Sequence, residues 1–353
     1  MQVRQRIHYV RAADGTRLAW AQAGSGQTLV KAANWLTHLE YEWASPVWRH
    51  WIQFFSTHFR FVRYDERGCG MSEWRAGPLT ITEWTSDLEA IISSARIDAP
   101  VTLLGISQGA AACIRYAVLH PDRVARMILY GGYARGAFRR GDVRTERAYR
   151  AMVELTRDSW AARNPTFRQV FTSRFIPGGT PEQLQWFNDL CVKCTVGEVA
   201  AELLEARAQV DICELLPQVR TPTLVLHSCS DEVVPISEGQ RLATEIAGAE
   251  FVELDSRNHV LLEHEPAWAR FQEEVLAFAK GETMADVFSA LSHREREVLA
   301  LIADGLSNAR IAEQLRIEDK TVRNHASNVF DKLGVRSRAE AIVFAHEHGF
   351  RRR

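Results

Sequence analysis

Through residues 1–280 the chain alternates short apolar runs with stretches whose apolar positions recur every three to four residues. The first kind reads as buried strand and the second as helix. Residues 7–10 and 18–21 are two strands joined at Asp14-Gly15, a strong hairpin signal. Residues 28–32 form a third strand, helical spacing covers 43–57, and 60–63 is a short strand. A glycine-rich turn follows, Tyr64-Asp65-Glu66-Arg67-Gly68-Cys69-Gly70-Met71-Ser72. A helix over 81–95, capped by Thr80 or Thr82, precedes the apolar run Val101-Thr102-Leu103-Leu104-Gly105-Ile106. Small residues then open a helix that continues to His120-Pro121, and 127–130 is the next strand. From 133 to 216 strand signals vanish, and the segment is helical, aromatic and rich in arginine, as an insertion over a sheet would be. A strand at 222–227, a helix at 239–247, a strand at 251–254 and an amphipathic helix at 266–280 complete the pattern. Strands alternating with helices after an opening hairpin predict an α/β domain, a mostly parallel sheet covered on both faces.

After Gly281-Glu282-Thr283 the pattern becomes purely helical, in four short pieces between 292 and 350. Ser292-His293-Arg294-Glu295 is a capping box, the serine accepting from the Glu295 amide and the glutamate reaching back. Ser307 is placed to cap a helix over 308–315, and a tight turn at 316–318 leads into a helix over 320–333. Asp319 is expected to cap that helix in place of Glu318. Two short helices joined by such a turn make a helix-turn-helix, whose second helix enters the DNA major groove. A fourth helix over 338–348 is expected to expose Ala339, Ile342, Val343 and Ala345 and to pair two subunits. The predicted organisation is a domain over 1–280, a linker over 281–287 and a small all-α domain over 288–353.

Composition adds limits rather than a function. With 353 residues and 46% hydrophobic content the chain can bury a full core, and its length favours two domains. Net charge is −1; from Met284 onward 12 basic residues face 10 acidic ones, leaving 31 against 34 before it. Neither balance selects a partner, although the chain ends Arg351-Arg352-Arg353. The N-terminal residues lack the apolar segment of a signal peptide, and no apolar run reaches the ~18 residues of a membrane span. A cytoplasmic protein with no membrane partner is expected. Six cysteines are scattered through predicted core elements, and Cys191-x-x-Cys194 has neither a second pair nor a nearby histidine. They read as reduced thiols, with no metal site and no cofactor.

The chemistry centres on Gly105-Ile106-Ser107-Gln108-Gly109. Between a strand and a helix, G-x-S-x-G places a serine on a tight turn with its hydroxyl raised above the sheet. A serine nucleophile needs a base to take its proton and an acid to orient that base. Asp231 follows the strand at 222–227 and His259 follows the strand at 251–254. Both therefore lie at C-terminal strand ends, where open α/β sheets gather their ligands.

With these residues the first domain resembles the α/β-hydrolase family, especially the group carrying Ala33-Asn34-Trp35-Leu36-Thr37-His38-Leu39-Glu40 and Tyr64-Asp65-Glu66-Arg67-Gly68-Cys69-Gly70. The resemblance implies an eight-stranded sheet, a helical cap over about 133–216, and a triad of Ser107, Asp231 and His259. The amides of Trp35 and Gln108 would hold the oxyanion. Family enzymes usually carry His-Gly where Ala33-Asn34 stands, and Asn34 restricts the backbone there. Losing one oxyanion donor costs ~10²–10³ in rate, so slow turnover is expected. Asn34, His38, Tyr133, Trp160 and Trp186 are the candidate ligand-pocket residues, and such aromatics suit a small apolar or aromatic ligand, an ester or lactone among them.

The second domain carries Leu291-Ser292, Arg294-Glu295-Arg296-Glu297-Val298-Leu299, Gly305-Leu306-Ser307-Asn308, Ile311-Ala312, Thr321-Val322-Arg323, His325 and Lys332-Leu333-Gly334-Val335. It resembles the LuxR-type DNA-binding domain nearly throughout. By position, Lys320, Thr321, Arg323, Asn324 and His325 would face double-stranded DNA. Arg323 and Asn324 suit base edges, while Ser307, Lys320 and Thr321 suit phosphates. The combination implies a ligand-responsive transcription regulator that binds a two-fold-symmetric operator as a homodimer. The other reading is a working esterase or lactonase whose DNA-binding tail regulates its own pathway.

Overall fold

The computed structural model describes residues 4–162, 164–280, 288, 291–335, 337–347 and 350. The chain divides into two compact units, Met1–Val275 and Leu276–Arg353; the expected linker over 281–287 lies outside the described residues.

In the first unit, β1 (Arg6–Arg11) and β2 (Arg17–Ala23) form the antiparallel hairpin, turning at Gly15 with φ +87°. Then come β3 (Thr28–Lys31), β4 (Arg60–Tyr64), β5 (Val101–Ile106), β6 (Val124–Tyr130), β7 (Thr223–Ser228) and β8 (Glu250–Leu254). They make one eight-stranded sheet in the order β1-β2-β4-β3-β5-β6-β7-β8. Every pairing from β4 to β8 is parallel. The central strands β5 and β7 are buried at all positions, as strands covered on both faces must be.

Helices α1 (Leu39–Trp43), α2 (Arg49–His58), α3 (Ile81–Ser94) and α4 (Gly109–Leu119) lie between these strands. The single helix expected over 43–57 is broken. Pro46 disfavours helical geometry at Ser45, and the Ser45 hydroxyl accepts from the amides of Val47 (2.9 Å) and Trp48 (2.8 Å), so α2 restarts at Arg49. Helix α3 is capped by Thr80, whose Oγ1 accepts from the Thr82 amide. Four helices form the insertion: α5 (Val143–Ser159), α6 (Thr166–Phe175), α7 (Pro181–Cys194) and α8 (Gly197–Ala208). Its base is tied by strand-like bonds between the arms, Gly136 donating to Val210 (2.8 Å) and Ile212 to Ala134 (3.0 Å). After α9 (Ile236–Glu245), α10 (Pro266–Lys280) brings Trp268 and Phe271 against Trp51 of α2, with ring centroids 4.8 and 4.7 Å away.

The second unit holds α11 (His293–Ala303), α12 (Asn308–Leu315), α13 (Asp319–Leu333) and α14 (Arg338–Glu347). Val298, Ile302, Ile311, Val322, Ala326 and Ala341 form its core. The capping box at Ser292 and Glu295 is formed in both directions. Three local expectations fail. Ser307 occupies the N-cap position of α12 but its side chain makes no capping bond. Glu318, not Asp319, is the N-cap residue of α13; Asp319 lies inside the helix and pairs with Arg323 one turn on, at 2.9 Å. On α14, Ala345 is fully buried and Ile342 packs against the unit's own core, leaving Ala339 and Val343 exposed.

Candidate functional site

Ser107 leaves β5 with φ +54°, a left-handed conformation that side chains rarely adopt, and α4 begins two residues later. The turn closes because Gly105 and Gly109 lack a Cβ. A methyl at Gly105 would lie 2.6 Å from the Ala110 Cα, and one at Gly109 3.0 Å from the Ala33 carbonyl oxygen. The strained elbow is thus held by close packing of small residues on both sides.

Asp231 sits in the loop after β7 and His259 in the loop after β8, and the structure brings them together. His259 Nδ1 lies 2.6 Å from Asp231 Oδ2, both side chains being almost wholly buried. The other oxygen, Oδ1, accepts from the amides of Val233 (2.7 Å) and Val234 (3.0 Å). Burial alone would raise the Asp231 carboxyl, but the His259 charge and these hydrogen bonds carry it below its ordinary value. An anionic Asp231 is placed to accept a hydrogen bond from Nδ1–H, and in that arrangement Nε2 is the ring nitrogen turned away from the carboxylate. Nε2 is buried and without a hydrogen-bond partner, so the step from serine to base is not closed here. Phe175 of the cap accepts from the His259 amide (2.8 Å), and its ring stands edge-on to the imidazole at 5.5 Å. His227 Nε2 lies 3.8 Å from Asp231 Oδ2 and 3.0 Å from the Val234 carbonyl.

A cavity of about 60 Å³ opens at Ser107. Its walls include Trp35 and Gln108, the two expected oxyanion residues, and Tyr133. Four of the five expected ligand residues point elsewhere. Asn34 is buried against Lys31, whose Nζ donates to its Oδ1, and it donates to the Trp35 carbonyl (3.1 Å). His38 caps α1 through Nδ1. Trp160 is buried inside the cap, its indole N–H donating to the Cys191 and Thr195 carbonyls at 3.0 and 3.2 Å. Trp186 stacks on Tyr41 at 5.1 Å.

Val233 and Val234 of the Asp231 loop also line the cavity, and the cap adds walls that the sequence pattern did not mark, Arg140, Tyr149, Phe175, Leu204 and Arg207 among them. Arg207 carried one usable signal. It falls in phase with Ala200, Leu203 and Leu204 on the buried face of α8, where a charged residue is out of place. It is 3% exposed, pairs with the buried Glu66, and lays its guanidinium over the Trp35 ring at 4.4 Å. Cys191 and Cys194 are separate buried thiols, the latter donating to the Thr37 carbonyl.

In the second unit α13 presents Lys320, Arg323 and Asn324 to solvent, with Thr321 and His325 half-buried beside them. Ser307 is exposed at the start of α12. The Arg323–Asp319 pair is exposed on both sides, so solvent screens it and it is weak.

The eight-stranded sheet, the serine elbow and the inserted helices define an α/β-hydrolase fold, and the four-helix unit is a helix-turn-helix domain. Known proteins agree for both parts. The family model described as "Serine aminopeptidase, S33" matches residues 52–267, and that described as "Bacterial regulatory proteins, luxR family" matches 289–345. The chain belongs to that hydrolase family, with a LuxR-family DNA-binding domain at its C-terminal side. It is 26% identical to pyrrolizixenacetamide deacetylase of Xenorhabdus hominickii over 211 residues, 59% of this chain and 76% of that one. It is 40% identical over 80 residues to the response regulator protein VraR of Staphylococcus aureus, covering 22% of this chain and 38% of VraR. The esterase from Exiguobacterium antarcticum superposes with a TM-score of 0.65 at 24% identity, over 77% of this chain and 98% of the esterase. Among the described residues no helix is long and apolar enough to cross a membrane.

Proposed function

We propose that the chain is a ligand-responsive transcription regulator. Residues 1–280 sense a small molecule in the Ser107 cavity, and residues 288–353 bind a two-fold-symmetric operator as a homodimer. The observation that carries this reading is the exposure of Lys320, Arg323 and Asn324 together along one helix of a LuxR-family unit. A helix placed in the major groove needs such a row, cationic for phosphates and with Arg and Asn for base edges. The cavity supports sensing by its size. About 60 Å³ is far below the ~300–1,000 Å³ of ordinary ligand pockets, so anything larger than a short acyl group must displace cap side chains. Ala339 and Val343 on α14 supply a small apolar surface for pairing.

Selection of bound sequences from a random duplex library by the full chain tests the reading. Enrichment of an inverted repeat is expected, with half-sites about one helical turn apart, ~34 Å, and a dimer in sedimentation. No enrichment, or a protein that stays monomeric on the selected duplex, overturns it.

A second reading rests on the Asp231–His259 pair, whose geometry is that of an activated base: the front unit is a working esterase or lactonase that degrades the signal it senses. Rapid turnover of an ester or lactone, lost in Ser107→Ala, would favour it over a purely sensing pocket.

A further inference from the structure

The polar atoms left unpaired around Ser107 describe what is meant to fill its cavity. Trp35 Nε1, Gln108 Nε2, and Nε and Nη1 of Arg207 are all buried and without hydrogen-bond partners, and all three residues line the cavity. Every one of these atoms is a donor. Buried donors without acceptors are rare in folded proteins because each costs the desolvation it never recovers. Four such donors on three residues of the cavity wall ask for an occupant rich in acceptor oxygen. The charge points the same way. Two arginines, Arg140 and Arg207, line the cavity, and among the described residues no carboxylate does. Glu66 behind the wall balances Arg207 through Nη2 alone, and among the described residues no carboxylate pairs with Arg140. Arg207 is also held in place: the Trp35 ring covers its face and Glu66 fixes one end. A guanidinium oriented this way presents N–H groups in a plane, the geometry that suits a carboxylate.

Resting on the reading of this cavity as a ligand site, we propose that its ligand carries a carboxylate, received by Arg207 with the side-chain N–H groups of Trp35 and Gln108 as further donors. The ligand is then a short carboxylic acid or an ester or lactone bearing one. Because Arg207 lies on α8, binding at this point pulls on the cap, and the carboxylate couples occupancy of the cavity to cap position.

Butyrate and butyramide, nearly equal in shape and different in charge, are suitable probes. In the full chain both are titrated against covalent labelling of Ser107 by a fluorophosphonate. Butyrate is expected to protect at a concentration about ten- to a hundredfold lower than butyramide, the range for a charge-assisted bond in a buried site. That preference should vanish in Glu66→Gln/Arg207→Gln, which removes both charges and leaves no orphaned carboxylate, and should fall between the two in Arg207→Lys. Equal protection by the two probes in the wild type overturns the proposal whether or not the variants fold. So does a preference that survives in the double variant, and protection by inorganic phosphate as strong as by butyrate overturns the carboxylate assignment. If Ser107 does not label at all, the activated serine is what fails. The thermal shift of Ser107→Ala with butyrate against butyramide then decides the carboxylate proposal by itself.

Discussion

Glu295 links two helices of the DNA-binding unit, and its removal has a calculable effect. Its Oε2 accepts from the Ser292 amide (2.7 Å) and from Lys332 Nζ (2.7 Å), while its own amide donates to the Ser292 hydroxyl (3.3 Å). It thus closes the capping box at the start of α11 and ties α11 to the end of α13. The Lys332 ammonium, with the Ser292 bonds, holds its carboxyl down at about 2, against an ordinary 4.5. That difference corresponds to a ceiling of roughly 3 kcal/mol. The Lys332 side chain is 39% exposed, so solvent screening reduces the ion pair itself to about 1–2 kcal/mol. Glu295→Gln should lose that amount, and Glu295→Ala, which also opens the capping box, about 2–3 kcal/mol. A folded pKa below the unfolded one means the contribution is complete above pH 4.5 and is lost as pH falls toward 2. The gap between wild type and Glu295→Gln should therefore narrow as pH drops from 6 toward 3.

The assay follows from where the tryptophans lie. All 10, from Trp20 to Trp268, are in the first unit. Tryptophan emission therefore follows the first unit, while far-ultraviolet circular dichroism follows both. In urea, Glu295→Ala should move the dichroism component of the helical unit down by about 1–2 M at the slope of a small domain. The emission transition should stay where it is. An unchanged dichroism curve, or a shift of both signals together, would refute the reasoning.

Three further outcomes are expected. Asp231→Asn removes the charge that orients His259 and should slow fluorophosphonate labelling of Ser107 by about 10²–10⁴-fold; labelling at the wild-type rate would show that Asp231 does not orient the base. Ser107→Ala should abolish labelling yet keep the affinity of the unliganded protein for its selected duplex, measured by fluorescence anisotropy. Arg323→Ala should weaken binding to that duplex by ~1–3 kcal/mol, while Lys320→Ala should mainly flatten the dependence on salt. Wild-type behaviour of both at fixed salt would misplace α13 in the complex.

The features legible along the chain are local ones. A strand buried on both faces is an unbroken apolar run, a helix repeats every 3.6 residues, and a serine elbow needs glycines at fixed offsets. The βα order, the positions of Ser107, Asp231 and His259 at strand ends, and the helix-turn-helix pieces could all be read in this way. Where two local signals competed the reading slipped, as at Ser45-Pro46, where a cap interrupts helical spacing. Side-chain direction was decided by the tertiary structure. Trp160 and Trp186 are as aromatic as a pocket wall requires, yet packing turns one into the cap interior and the other onto Tyr41. Arg207 and Tyr149, more than 40 residues from the elbow, reach Ser107 because the cap folds back over the sheet. Ala345 belongs to the core of its own unit because its helix rotates that face inward. Each of these depends on contacts between residues far apart in the chain, and periodicity within one element carries no term for which neighbour it will meet.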